Sequence, residues 1–143
     1  MQENKFFTTL IKYIFLFTIF VIIIIFISSF FYKIVNKMNT ELDIDSQYRK
    51  LNLYLLDISQ KSVTISKYGL TNENDSSSYF ITFSDYNGNQ NTFIKVDDKI
   101  YFNNIELCDN VKLFKIIIDK SEKEYISIDV VIGNKEFTSQ YVL

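Results

Sequence analysis

The chain has 143 residues, of which 48% are hydrophobic, and a formal net charge of −2. Acidic residues outnumber basic ones by 17 to 15, which gives no support to nucleic-acid binding. The absence of histidine excludes a histidine-based catalytic triad or a histidine-rich zinc site, and a single cysteine, Cys108, excludes an internal disulfide.

The first predicted element is a membrane-spanning helix. Tyr13 to Tyr32 is a run of twenty residues without a charge. As a helix it would be about 30 Å long, which matches the hydrocarbon core of a bilayer. No small-residue cleavage site follows the run, so we predict a retained anchor. We therefore assign 1–12 to a short cytoplasmic tail and 13–33 to the transmembrane helix.

The orientation of the anchor follows from its flanks. Lysines lie on both sides of the run, so the positive-inside count is nearly balanced. The short leading tail and the large polar remainder favour an inside amino terminus. We predict a single-pass protein of the cell membrane whose carboxy-terminal domain is extracytoplasmic.

The helix is predicted to continue through 34–61, because the chain has no proline and no glycine before Gly69. Polar residues between Thr40 and Asp45 indicate a kink or a local break. Leu53, Tyr54 and Leu56 widen the apolar face. Steps of three and four residues mark one amphipathic face. The residues of this face expected to pack on a sheet are Leu42, Tyr48, Leu51, Leu55 and Ile58.

The remainder, 62–143, is predicted to be rich in β-strands. Alternating apolar and polar residues indicate six or seven strands, and short connections indicate that most of them are antiparallel. Asn87-Gly88 is a strong hairpin signal, because both residues tolerate positive φ. The predicted fold class is α+β: a long amino-terminal helix packed on one face of a curved, mostly antiparallel sheet.

Possible chemical sites are better explained as structural features. The segment 85–89 resembles part of a calcium loop but lies where a hairpin turn is needed. Asp97 and Asp98 read as another turn, and Cys108 as a small buried residue. Asn74 opens a chance glycosylation pattern. We predict no catalytic, metal or cofactor site, no small-molecule substrate, and no enzyme.

Two segments carry a resemblance to a known family. Thr9, Leu10 and Ile11 resemble the middle of the Gly-Phe-Thr-Leu-Ile-Glu signature that opens type IV pilins. The segment 79–119, with its Asn-Val-Lys-Leu-Phe run at 110–114, resembles the strand pattern of PilW, J-type pseudopilins and ComGF. With the apolar span and the helix beyond it, the layout is similar to minor subunits of type IV pili, competence pili and type II secretion pseudopili.

The resemblance implies a structural role in a filament, with two departures. In that family a peptidase cuts after the signature glycine, but Phe7 stands at that position here. The family's glutamate pairs with the charged amino terminus of a neighbouring subunit, but Lys12 has the opposite sign. Some tip-located minor pseudopilins also lack that glutamate. We therefore expect a minor subunit that acts in assembly or at the tip, in a hetero-complex with other pilin-like subunits.

The alternative is a single-pass, membrane-anchored interaction module whose outer β-domain binds a partner and is unrelated to pili. The same anchor and β-rich remainder would serve this role.

Overall fold

The computed structural model describes residues 2–72, 75–119 and 125–142. The chain divides into two compact units, Met1–Glu41 and Leu42–Leu143. One helix, α1 (Gln2–Lys61), contributes residues to both units.

The described residues of the first unit are all helical. Its apolar side chains are exposed around the whole circumference from residue 7 onward, as expected of a helix whose solvent is lipid. Two hydroxyls are satisfied by the helix backbone itself: Thr18 Oγ1 donates to the Ile14 carbonyl at 2.8 Å, and Thr40 Oγ1 to the Asn36 carbonyl at 3.0 Å.

Of the two alternatives for Thr40 to Asp45, a kink or a local break, the break does not occur, because every residue of this stretch is helical. The kink stays a prediction. Polar side chains here bond along the helix instead of interrupting it. The Asp43 carboxylate, for example, accepts a hydrogen bond from Gln47 Nε2 at 3.0 Å, one turn further on. Polarity alone does not end a helix that contains no glycine or proline.

The second unit packs the end of α1 with eight strands among the described residues, where the sequence predicted six or seven. The strands are β1 (Ser62–Leu70), β2 (Tyr79–Asp85), β3 (Gln90–Val96), β4 (Lys99–Phe102), β5 (Ile105–Cys108), β6 (Val111–Asp119), β7 (Tyr125–Ile132) and β8 (Lys135–Val142). Every pair of neighbouring strands within a sheet is antiparallel, as predicted.

The strands form two sheets, which corrects the prediction of one. The first has the order β1-β2-β3-β4-β5 and the second the order β6-β7-β8. After β5, Asn110 adopts φ 53° and turns the chain away. Strand β6 then meets the segment before β2: Ser78 and Phe114 form a parallel bridge, and the Phe114 amide donates to the Ser77 carbonyl at 2.9 Å.

Positive-φ residues form the tight turns that make these connections short. Gly88 (φ 80°) lies between β2 and β3, and Gly133 (φ 60°) between β7 and β8. Asn103 and Asn104 are both left-handed between β4 and β5, a conformation that asparagine adopts at low cost. The hairpin signal at Asn87-Gly88 thus marks a real turn.

The core lies between α1 and the strands. Leu51, Leu55 and Ile58 are buried there, and Tyr48 packs against its edge. Leu42, expected on this face, is 64% exposed, and Ile44 is buried in its place at 5% exposure. The step from Leu42 to Tyr48 is six residues, which is not a helical repeat, whereas 44, 48, 51, 55 and 58 follow steps of four and three.

Candidate functional site

The residues of the degenerate pilin signature lie on the first unit of α1. Phe7, Leu10 and Ile11 are exposed. Thr9 and Lys12 are also exposed and occupy consecutive turns of the same helix. The helix therefore displays these five positions on its own surface.

The same stretch supplies the membrane-spanning candidate. Among the described residues, one helix is long and apolar enough to cross a membrane, and its most apolar window has no residue buried by protein. An apolar stretch of this length matches the hydrocarbon thickness of a bilayer. Membrane anchoring of the chain is consistent with this arrangement.

A polar and aromatic seam joins α1 to β8 in the second unit. Lys135 Nζ contacts Asp45 Oδ1 at 2.9 Å, and the Tyr141 hydroxyl donates to Asn52 Oδ1. Between them the rings of Tyr48 and Phe137 stack with centroids 4.0 Å apart. Tyr48 also hydrogen-bonds through its hydroxyl to Ser139 Oγ. Helical spacing in the sequence predicts Tyr48 on the packed face, but no local pattern indicates its partners.

A second polar cluster surrounds a buried lysine that the sequence analysis missed. Lys95 is only 4% exposed, and its Nζ donates to Ser78 Oγ at 2.9 Å. Ser78 Oγ donates in turn to Asp75 Oδ2. The amide and hydroxyl of Ser77 donate to Asp75 Oδ1 at 2.9 and 2.6 Å. The cluster fastens the segment before β2 to the inner face of β3.

These hydrogen bonds also determine the chemistry of the cluster. The pKa of Asp75 is lowered to about 2, mainly by the hydrogen bonds from the Ser77 and Ser78 side chains. The positive charge of Lys95 is a smaller cause. A serine beside a lysine could form a nucleophilic pair, but the Ser78 hydroxyl already donates its proton to Asp75 and accepts from Lys95. The arrangement holds the hydroxyl in a structural network.

The segments at 85–89 and 97–98, which were considered as possible chemical sites, form turns in the structure. Asp85 accepts hydrogen bonds from the amides of Asn87 and Asn89 and from the Asn89 side chain, which lower its pKa. Asp97 has φ 54° at the β3–β4 connection. Asn74 lies outside the described residues. No group of three or more potential metal-ligating side chains occurs within the described ranges.

Cys108 is buried beside α1, where Sγ donates to the Gln47 carbonyl at 3.5 Å. Desolvation raises the pKa of this thiol to about 12. A thiol with so high a pKa is a poor nucleophile at neutral pH. Next to it, the Gln47 side chain donates to Asp109 Oδ1 at 2.7 Å and accepts from the Asp109 amide at 2.8 Å, which fixes the end of β5 to the helix.

A groove lies between α1 and β8. It has a volume of about 330 Å³ and is lined by Asp45, Tyr48, Arg49, Asn52 and Phe137. Asp45 is paired with Lys135. Arg49, the only arginine of the chain, is exposed and has no hydrogen-bond or ion-pair partner within the part of the chain that the structure describes. The groove therefore presents one uncompensated positive charge.

Comparison with known proteins adds no family: no protein-family model, no curated protein and no solved structure matches the chain.

Proposed function

We propose that this chain is a non-enzymatic, minor pilin-like subunit that anchors in the cell membrane and acts in the assembly, or at the tip, of a type IV pilus, a competence pilus or a type II secretion-like pseudopilus. The main observation behind the proposal is that α1 has two structural roles. One helix supplies both an apolar span and the packed face of an antiparallel β-domain. This combination is the layout of the family that the sequence resembles.

The proposal assigns a minor role because of the residues at the signature positions. Phe7 stands where the processing glycine would be, and Lys12 replaces the glutamate with the opposite charge. At low dielectric a carboxylate on a neighbouring helix would attract Lys12, whereas a second copy of Lys12 would repel it. The subunit therefore prefers a hetero-complex with glutamate-bearing subunits over a homopolymer.

Deletion of the gene, followed by counting of surface filaments and measurement of DNA uptake and protein secretion, tests this role. We expect filaments to be lost or greatly reduced, and this protein to be scarce in sheared filaments compared with their main subunit. Equal abundance would exclude the minor role. Unchanged filaments, uptake and secretion would exclude the assembly role.

Processing is tested separately by the intact mass of the protein purified from its native membrane. With Phe7 in place of glycine, we expect the amino terminus to remain uncut. A mature form that begins at Thr8, with an added methyl group, would show that the peptidase accepts this site. That result would move the chain closer to ordinary pilins without removing the assembly role.

A second candidate function is an anchored interaction module that is unrelated to pili. The unpartnered Arg49 beside the β8 edge favours it, because this feature suits the binding of another chain and needs no filament. Normal filaments after deletion, together with a stable complex formed through the β-domain, would support this module in place of a filament subunit.

A further inference from the structure

The two open sheets have edges that differ in regularity. Register shifts interrupt the pairing of β1 with β2, and another lies in the pairing of β4 with β5, whose last strand has only four residues. The pairing of β6 with β7 also contains a shift, and β6 is bridged to Ser78. Bulges, short strands and partial cover protect an edge from pairing with other chains.

Strand β8 has none of these protections among the described residues. It pairs with β7 at eight successive positions without a register shift, from Tyr125↔Val142 to Ile132↔Lys135. The chain contains no proline, and β8 is the last strand in the order β6-β7-β8. An eight-residue edge without a bulge presents a row of backbone donors and acceptors that another extended chain can pair with.

The groove beside this edge indicates the chemistry of the partner. A strand added to β8 would extend the sheet past Phe137, and its helix-facing side chains would meet the groove that contains Arg49. The Tyr48–Phe137 stack provides an apolar wall, and the Arg49 guanidinium provides five donors suited to a carboxylate. Asp45 does not neutralise this charge in the groove, because Lys135 pairs with it.

A second copy of β8 does not meet this requirement. The side chains that β8 turns toward α1 include Lys135, Phe137, Ser139 and Tyr141, as their contacts with the helix show. None of these is acidic, and Lys135 would bring a like charge toward Arg49. The occupant is therefore a different sequence.

We propose that β8 is a strand-addition site for an extended segment of another protein, with apolar side chains facing α1 and one Asp or Glu among them that pairs with Arg49. Backbone pairing along β8 provides affinity, and the carboxylate determines the register. The proposal does not depend on membership of a filament.

A designed peptide tests the site on the full-length chain in detergent. The probe has nine residues: valine at odd positions, threonine at even positions and glutamate in place of the central valine. Fluorescence anisotropy of the labelled peptide measures its affinity. We expect saturable binding with a Kd below about 1 mM. The Kd of the peptide with glutamine at the centre should be about tenfold higher.

Arg49→Gln should remove the preference for glutamate over glutamine, and Arg49→Lys should retain part of it, because a lysine keeps the charge but not the planar fork. Lys115→Gln, at an exposed position of β6, is the matched control and should leave both affinities unchanged. Two further peptides, each N-methylated along one of the two backbone edges, distinguish strand addition from non-specific binding. Methylation of the pairing edge should abolish binding, and methylation of the opposite edge should not.

Three results would overturn the proposal: the absence of saturable binding to the wild-type chain, equal affinity for the glutamate and glutamine peptides, or equal binding of the two methylated peptides. A loss of glutamate preference in Lys115→Gln as large as that in Arg49→Gln would also overturn it, because general charge attraction would then explain the effect.

Discussion

Two stretches of α1 have the same backbone conformation and opposite surroundings. From residue 13 to 32 the helix is apolar on every side, and its large side chains are exposed. Between Ile44 and Ile58 most apolar residues lie on one face, and that face is buried against the strands. The difference follows the angular distribution of the apolar residues: a single apolar face suits packing against strands, and apolar residues on every side suit a membrane span.

The largest expected effect comes from the packed stretch. Leu55 is 2% exposed, and Leu55→Ala should lower the free energy of unfolding of the β-domain by about 2–5 kcal/mol. Its matched control is Leu53→Ala, at a side chain that is 60% exposed, with an effect within about 0.5 kcal/mol. Chemical denaturation followed by near-ultraviolet circular dichroism measures both. Similar losses in the two variants would contradict the assigned face.

A second pair of variants tests the start of the packed face. Ile44→Ala should destabilise the β-domain by about 2 kcal/mol or more, because Ile44 is buried against Gly133, where a Cβ on the glycine would lie 2.9 Å from Ile44 Cδ1. Leu42→Ala should have an effect within about 0.5 kcal/mol. The same denaturation experiment applies. A larger loss of unfolding free energy in Leu42→Ala than in Ile44→Ala would support the helix face that the sequence predicted.

The polar cluster around Lys95 should contribute less than the helix face. Ser78→Ala removes the acceptor that Lys95 Nζ uses and leaves a buried donor unsatisfied, at a cost of about 1–3 kcal/mol. When Lys95→Met is added, the combined loss should be smaller than the sum of the two single losses, because the orphaned ammonium is gone. Strict additivity in this double-mutant cycle would mean that the two side chains do not interact.

Acid should weaken the same cluster within a defined range. The folded-state pKa of Asp75, about 2, lies below its ordinary value of 3.8, so the carboxylate stabilises the fold above pH 3.8 and loses that contribution as pH falls toward 2. Asp75→Asn should reduce the dependence of Tm on pH in this interval. Asp98→Asn, at an exposed turn position, serves as the control. A pH dependence equal to wild type in Asp75→Asn would exclude the role of this carboxylate.

The smallest effect is expected in the anchor. Ile23 is exposed in the first unit, so Ile23→Ala should change the stability of the β-domain by no more than about 0.5 kcal/mol. Unfolding in detergent, compared with Leu55→Ala, measures it. A loss comparable to that of Leu55→Ala would show that this stretch packs against protein, and the contrast between the two stretches would disappear.

Local signals in the sequence predicted most of the secondary structure. The absence of glycine and proline predicted the length of α1, and Asn87-Gly88 predicted one hairpin. Leu51, Leu55 and Ile58 follow from helical spacing. Leu42 was wrongly assigned to this face because it was joined to Tyr48 by a step of six residues, which does not match the helical repeat.

Features that depend on contacts distant in sequence were not predictable. The division into two sheets is one such feature, because β6 leaves the first sheet and meets Ser78 through Phe114, and successive hairpins look the same in one sheet or two. Lys95 fits the alternating pattern of β3, but its side chain is buried where it bonds to Ser78, a residue that the sequence pattern assigns to a polar loop. An apolar helix followed by antiparallel strands is also too general a pattern to establish a family.

The seam between α1 and β8 also has a consequence for the order of folding. Its hydrogen bonds join residues 89 to 91 positions apart, whereas the hairpins from β2 onward join near neighbours. During synthesis the apolar face at 44–58 emerges long before Lys135 to Tyr141, so it stays partly uncovered until β8 arrives. Contacts of this separation form late and slow the final step. In that interval the chain is most open to chaperones, proteases and premature association.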